Sequence, residues 1–263
     1  MTCGPSLAES FELVGTVAVV DLEAACALYG VDVLPYPLGR SRPVGSVWLA
    51  TRDVAPIEER LRSDDLRGVR EWVEAVVRSD VCIECRVHRF DEDTTDRRLH
   101  GMWAGESGFV AVQSADSDGV DIVDIYAVSP TMVGPAIAEA VGLVGAGAHL
   151  RIAVTGGGDH LPESPDVVDE YDDLGLTVTH FQPTETAVTV DSRDVVATGT
   201  VQSRHEPARH WGADPARPML QWVQVRGDGD YLYEANDSGY LEPLDLSLLS
   251  ACIEELIADV TRW

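Results

Sequence analysis

The chain writes one pattern twice. Residues 218–260 read PMLQWVQVRGDGDYLYEANDSGYLEPLDLSLLSACIEELIADV: a strand, a tight Gly-Asp-Gly turn, a second strand, a Gly-aromatic edge and a closing amphipathic helix. Residues 99–144, LHGMWAGESGFVAVQSADSDGVDIVDIYAVSPTMVGPAIAEAVGLV, follow the same order, with Trp103 standing where Trp222 stands and Phe109 where Tyr231 stands. A proline introduces the closing helix of each unit. An alternating strand must bury one face and an amphipathic helix one stripe, so a repeated strand–strand–helix unit restricts the chain to sheets layered with helices. The expected fold is α+β (mixed α/β), with two pseudo-symmetric halves, each an antiparallel sheet with flanking helices. Neither unit carries a catalytic motif, and the pattern points to a binding scaffold.

The segments before and between the units complete the expected order. Glu12–Val20 reads as a first strand, and Asp21 caps a short helix that ends at Gly30. Prolines 35, 37 and 43 hold Leu34–Val44 extended. Helices are expected around Pro56–Arg62 and over Leu66–Arg78, the second with Leu66, Val69, Trp72, Val73, Val76 and Val77 on one stripe. Val81–Phe90 reads as a strand and Asp91–Arg98 as a polar loop. Leu99–Ala104 and Phe109–Ser114 form a hairpin, Val120–Ala127 a strand, and Ser129-Pro130 opens a helix to about Val144. His149–Val154 starts the second half. The glycine-rich stretch 155–165 is the joint between halves of roughly 1–148 and 149–263 within a single domain. Thr184–Val196 is open between strand and helix, and Ala197–His205 is a strand.

Composition narrows the partners. Forty-five acids face 19 bases, every base is arginine, and the net charge is −26. Such a charge repels phosphate backbones and anionic lipid, so nucleic acid and membrane surfaces are poor partners. The longest apolar runs are far too short to span a bilayer, and the start of the chain lacks the basic-then-apolar pattern of a signal peptide. A cytoplasmic protein is expected.

The candidate chemistry is sparse. Cys82 and Cys85 form a lone CxxC in a period-2 segment, where positions three apart face opposite sides of a strand, so neither zinc nor thioredoxin chemistry is expected there. Gly156–Gly158 lacks the lysine of a P-loop and the spacing of a dinucleotide site. DSDGVDIVD from Asp116 has its glycine at the wrong position for a calcium loop and reads as a hairpin turn. The histidines show no metal-ligand spacing, and Ser107 sits in a turn rather than a nucleophile elbow. No catalytic residue, metal or cofactor is expected.

Leu34–Leu38 (LPYPL) after a short helix, the Trp72 helix leading into Asp80–Val87 (DVCIECRV), and the closing hairpin, Gly-aromatic, Pro and helix of 221–256 together resemble the EspG family, the ESX (type VII) secretion-associated chaperones of actinobacteria. The resemblance covers essentially the whole chain. It implies two pseudo-symmetric halves, no enzymatic activity, and cytosolic binding of a PE–PPE heterodimer by the hydrophobic helical tip of its PPE partner, which keeps the pair soluble and export-competent. In the family the loop between the second and third strands reaches toward the partner. Here that loop is Asp91–Arg98, so Asp91, Asp93, Arg97 and Arg98, with Leu248 and Glu255 on the last helix, are the candidate contacts. Two other classes compete: a small-molecule enzyme with an unrecognised site, and an acidic housekeeping protein of a salt-tolerant organism. Self-association is left open.

Overall fold

Alternating apolar residues and two-residue or three-residue turns generate most of the architecture. The computed structural model describes residues 7–41, 55–62, 66–90, 95–116, 119–155, 187–205, 212–233 and 240–261. In chain order the elements are α1 (Leu7–Ser10), β1 (Glu12–Ala18), α2 (Val19–Leu28), α3 (Ile57–Arg60), α4 (Arg67–Val76), β2 (Val81–Arg89), β3 (Arg97–Ala104), β4 (Ser107–Ala115) and β5 (Asp121–Val128). They continue with α5 (Val133–Val141), β6 (Ile152–Thr155), β7 (Val188–Asp191), β8 (Val195–Arg204), β9 (Met219–Val225), β10 (Gly229–Tyr233), β11 (Leu241–Pro243) and α6 (Leu246–Thr261).

Among the described residues the strands form one sheet in the order β1-β5-β4-β3-β2-β8-β9-β10-β11-β6-β7. The fold is mixed α+β with a mostly antiparallel sheet. It is one continuous sheet rather than two, because β2 and β8 pair antiparallel over eight residues from Cys82↔Arg204 to Arg89↔Ala197. The β6–β7 pair at one edge is parallel. Outward from β2 the order runs β3, β4, β5, β1; outward from β8 it runs β9, β10, β11, β6, β7.

Both faces of the sheet are covered. On one face α5 and α6 pack over Ile83, Cys85 and Val87 of β2, Leu99 of β3, and Val201 and Trp222 of β8 and β9. On the other, α2 and α4 cover Cys82, Met102, Phe109, Ala111 and Ile125, with Trp72 fully buried at the centre. A smaller core on the β9–β11 side gathers Ile152, Val223, Tyr231 and Leu241. Cys82 and Cys85 therefore point into different cores, as a period-2 strand requires. Trp222 lies across Gly199, its cross-strand partner; a β-carbon there would stand 2.0 Å from the indole ring. The glycine lets a strand-borne tryptophan lie flat against the neighbouring backbone.

The Gly-Asp-Gly turn does more than reverse the chain. Gly227 takes the left-handed conformation (φ 69°) that the turn requires. The residues that follow then tie down the segment after α5. Asp230 accepts hydrogen bonds from the backbone N–H of Val144 (2.6 Å) and Gly145 (3.1 Å). Asp228 accepts from the N–H of Ala148 (2.7 Å) and from the Tyr231 hydroxyl (2.6 Å), which itself accepts from the N–H of His149 (3.1 Å). The segment after α5, which has only an isolated bridge from Ala146 to Asp230, satisfies backbone polar groups through this motif.

Several boundaries differ from expectation. Asp21 is not an N-cap: α2 begins two residues earlier, and the Asp21 carboxylate pairs instead with Arg60 on α3 at 2.5 Å. Ser129 makes no side-chain cap; a 3-10 turn over Pro130–Met132 precedes α5, which stops at left-handed Gly142 and not near Val144. Val77, the C-cap just past the end of α4, is exposed and does not join the buried stripe. The described part of Thr184–Val196 is strand β7, a 3-10 turn and the start of β8, in line with its β-branched content. The glycine-rich joint at 156–165 lies outside the described residues.

Candidate functional site

The central β2–β8 pair organises two environments, one on each face. On the face carrying α5 and α6, the helices approach at Gly134, where a β-carbon would lie 3.4 Å from Ile253 and Ile257. Asp245 opens α6 by accepting from the N–H of Leu248 at 2.8 Å, an N-cap contact that satisfies one orphan donor of the first turn. Leu249, Ile253 and Leu256 are buried, while Leu246, Leu248, Glu254, Glu255 and Asp259 face solvent. The outer surface of α6 thus has an apolar N-terminal end and an acidic C-terminal half.

Beside the last two turns of α6, against the ends of β8 and β9, lies a cleft of about 310 Å³. Buried Ser203 and Leu256 form its floor, Pro218 and Val260 its walls, and exposed His205, Arg217 and Asp259 its rim. His205 Nδ1 lies 3.2 Å from the Asp80 carbonyl, so that nitrogen carries the proton of the contact. Arg217 is 3.4 Å from Asp214.

The opposite face is polar inside. Glu84, with a fully buried side chain, receives Arg204 at 2.7 Å. Directly across the strands from Glu84 stand Gln202 on one side and His100 on the other. His100 is buried completely and neither ring nitrogen has a hydrogen-bond partner. Burial, reinforced by the Arg204 charge, pushes its pKa down to about 3, so the imidazole is neutral. Its ring meets Trp72 edge-on at 6.2 Å. Further along, Asp96 receives Arg86 and the His88 ring at 2.8 Å each; burial alone would raise its pKa, but the His88 hydrogen bond and the Arg86 charge hold it well below the usual range. These carboxylates face arginines inside the protein and serve its cohesion. Three buried thiols are equally withdrawn: burial pushes Cys26 and Cys82 up to about 12 and raises Cys85 as well, which leaves none of the three a thiolate near neutral pH.

The sequence-predicted contacts are scattered across this frame. Asp91 and Asp93 lie outside the described residues. Arg97 and Arg98 belong to β3 and not to a loop, and they point to opposite faces. The Arg97 Nη1 donates to the Ala140 carbonyl at 2.6 Å, capping the C-terminus of α5. Arg98 is 8% exposed and donates to the Gly39 carbonyl at 3.2 Å, pinning the Leu34–Leu38 segment to the sheet. Both arginines occupy structural contacts because a strand start beside a helix end and a loop needs donors. Leu248 (39% exposed) and Glu255 share the outer face of α6, two turns apart. Arg97 pairs at Val87 while the α6 cleft lies at Ser203, which pairs at Ile83, about 13 Å away along β2. The cleft residues carried no motif in the sequence: Ser203 reads as one more polar position in a strand, and only the packing of α6 makes it a floor.

No known family model matches the chain, and no curated protein matches it. Among the described residues no helix is long and apolar enough to cross a membrane, and no three metal-ligating side chains converge.

Proposed function

We propose that the chain is an EspG-like, non-enzymatic cytoplasmic chaperone of type VII secretion that holds the helical tip of a PPE protein in a PE–PPE heterodimer. The observation that carries this reading is the strand order. Matching β3 with β9, β4 with β10, β5 with β11 and β1 with β6, the two arms of the sheet run outward from β2 and β8 in the same sequence. The closing helices of the two arms, α5 and α6, lie together over the central pair. Trp103 and Trp222 both contribute to that layer, while Phe109 and Tyr231 both face the other way. This order supports reading the chain as the pseudo-symmetric pair of halves that the family resemblance implies.

The outer face of α6 suits the role. An apolar helix tip left in water associates indiscriminately, and a surface that offers Leu246 and Leu248 beside Glu254, Glu255 and Asp259 gives it an apolar contact with an acidic margin. The net charge of −26 would steer a basic partner and keep copies of the chaperone apart. Asp91 and Asp93, in the β2–β3 connection, complete the proposed contacts.

Co-expression with a PE–PPE pair from the same genome, followed by size-exclusion chromatography with light scattering, tests the reading. A stable ternary species, with the PPE protein soluble only in the presence of this chain, is expected. Failure to form a complex with every pair the host encodes would overturn it. The same scattering measurement reads whether the chain self-associates.

A further inference from the structure

We infer that residues 142–151 form a pH-sensitive strap, fastened by the buried side chain of Asp230 and loosened as pH rises. The segment leaves α5 at Gly142, passes the turn end of β10 and leads into β6. Gly142 and Gly145 both hold positive φ (73° and 127°), so the backbone bends at two points that no side chain stiffens. Past Leu143, Val144 and Leu150 are turned to solvent, 68% and 90% exposed, and hydrogen bonds from residues 228–231 hold the strap in place of packing. Asp230 alone makes four of them. Its carboxylate accepts from the N–H of Val144 and of Gly145, its own N–H donates to the Gly145 carbonyl at 2.8 Å, and its carbonyl accepts from the Gly147 N–H at 3.1 Å.

The fastening is sensitive because of where that carboxylate lies. Asp230 is 1% exposed, and among the described residues every donor to its carboxylate is neutral: the two strap N–H groups and the Gln224 amide of β9. From the β11–α6 turn the Leu244 N–H meets the Asp230 carbonyl. Arg89 of β2 acts on the carboxylate through space, and neighbouring Asp228 is occupied by Tyr231, Ala148 and His149. A carboxylate desolvated among neutral partners is disfavoured as an anion. Burial accordingly raises its pKa from 3.8 to about 6, against the pull of its hydrogen bonds and of Arg89. Lifting the strap readmits water to the carboxylate and restores its ordinary titration, so raising pH through this window favours the open form. Opening uncovers the Tyr231 ring, against which Gly147 lies, and frees the backbone edge of β10 at Asp230.

The strap stands apart from the chaperone reading, and its test needs no partner protein. Hydrogen exchange of the full chain is followed by NMR at pH 5, 6 and 7, with rates corrected for intrinsic exchange. The amides of Gly147 and His149 are the reporters, because they donate to the Asp230 carbonyl and the Tyr231 hydroxyl and not to the carboxylate itself. Their protection should fall about tenfold from pH 5 to pH 7, the change that a displacement from 3.8 to about 6 produces in the opening equilibrium. In Asp230→Asn, which keeps an acceptor oxygen and loses the charge, protection should stay level across the range. Carbon-13 titration of the Asp230 carboxyl in the natural chain should give a midpoint well above the ordinary aspartate range. Level or rising protection in the natural chain, a fall that persists in Asp230→Asn, or a carboxyl that titrates as an ordinary aspartate would overturn the strap.

Discussion

A β-carbon on Gly147 would stand 1.9 Å from the Cζ atom of Tyr231. The Tyr231 ring of β10 lies against the backbone of the segment that follows α5, and only glycine allows it. Gly147→Ala must push Tyr231 out of a fully buried position, which is expected to cost about 3 kcal/mol. Gly134→Ala is the contrast: its β-carbon would make ordinary contacts at 3.4 Å, and replacing a helical glycine recovers up to about 1 kcal/mol. Urea denaturation of the two variants should move the midpoint in opposite directions; a neutral Gly147→Ala would show that the Tyr231 contact is not tight.

Among the described residues, two buried groups act in opposite senses on stability between about pH 4 and 6. Burial lowers the His100 pKa to about 3 in the fold from 6.5, so its contribution is complete above 6.5 and is lost as pH falls toward 3. Burial raises Asp230 to about 6 from 3.8, despite its hydrogen bonds from Val144, Gly145 and Gln224, so its contribution is complete below 3.8 and is lost as pH rises to 6. Over the shared window the two slopes offset. Asp230→Asn should expose the His100 slope, with stability rising toward neutral pH by up to about 1.4 kcal/mol per unit. His100→Leu should expose the reverse slope. Denaturant melts at pH 4, 5 and 6 read both, and parallel profiles in the two variants would refute the assignment.

Arg204 and Glu84 form an ion pair with the carboxylate fully buried. Arg204→Met strips Glu84 of that counter-charge and is expected to cost about 3–5 kcal/mol. The double variant Arg204→Met with Glu84→Gln should recover most of the loss, because the desolvated charge is gone. A double-mutant cycle by thermal denaturation measures the coupling; additive losses would mean that the two side chains act separately.

The position of Arg97 and Arg98 decides how the proposed partner surface is to be probed. Arg98→Glu would place a carboxylate in a buried site beside Asp96 and should unfold the chain whatever it binds. Arg97→Ala removes the donor to Ala140 and should cost about 1 kcal/mol with little change in partner affinity. Asp91→Arg with Asp93→Arg, and Leu248→Glu, are the informative variants. Each should weaken PE–PPE binding at least tenfold by calorimetry while leaving the melting temperature within a few degrees. Unchanged affinity in both would remove the loop and α6 from the interface.

If the acidic field steers the partner, raising salt from 50 to 500 mM should slow association by about tenfold or more while dissociation changes little. Surface plasmon resonance separates the two rates. A salt-insensitive association rate would leave the charge with no part in recognition.

Local signals carried much of the fold. The alternation in Val81–Phe90 and the glycines at 105 and 108 yielded strands and a hairpin that stand almost where expected, with β4 starting two residues earlier at Ser107, since period-2 burial and turn chemistry are written in adjacent residues. Helix starts were less legible. Asp21 and Ser129 look like caps, yet Asp21 is drawn to Arg60, and Ser129 precedes a 3-10 turn, because distant neighbours compete for the same side chains. The candidate site was hardly legible at all. Arg97 and Arg98 read as loop charges, since nothing nearby reveals that a helix end and the Gly39 carbonyl await them.

The amino-acid order by itself determined the elements, their alternation and the repeat that brackets them. It also set the charge balance of −26. These follow from neighbours within a few positions and from composition. Only the tertiary structure decided that the strands merge into one sheet through the β2–β8 pair, that Asp230 and Tyr231 clamp the segment after α5, and that Ser203 becomes the floor of a cleft. Each of those depends on residues about 80 or more positions apart, or on a helix laid over a strand, and such contacts are selected by the total burial and hydrogen bonding of the folded chain.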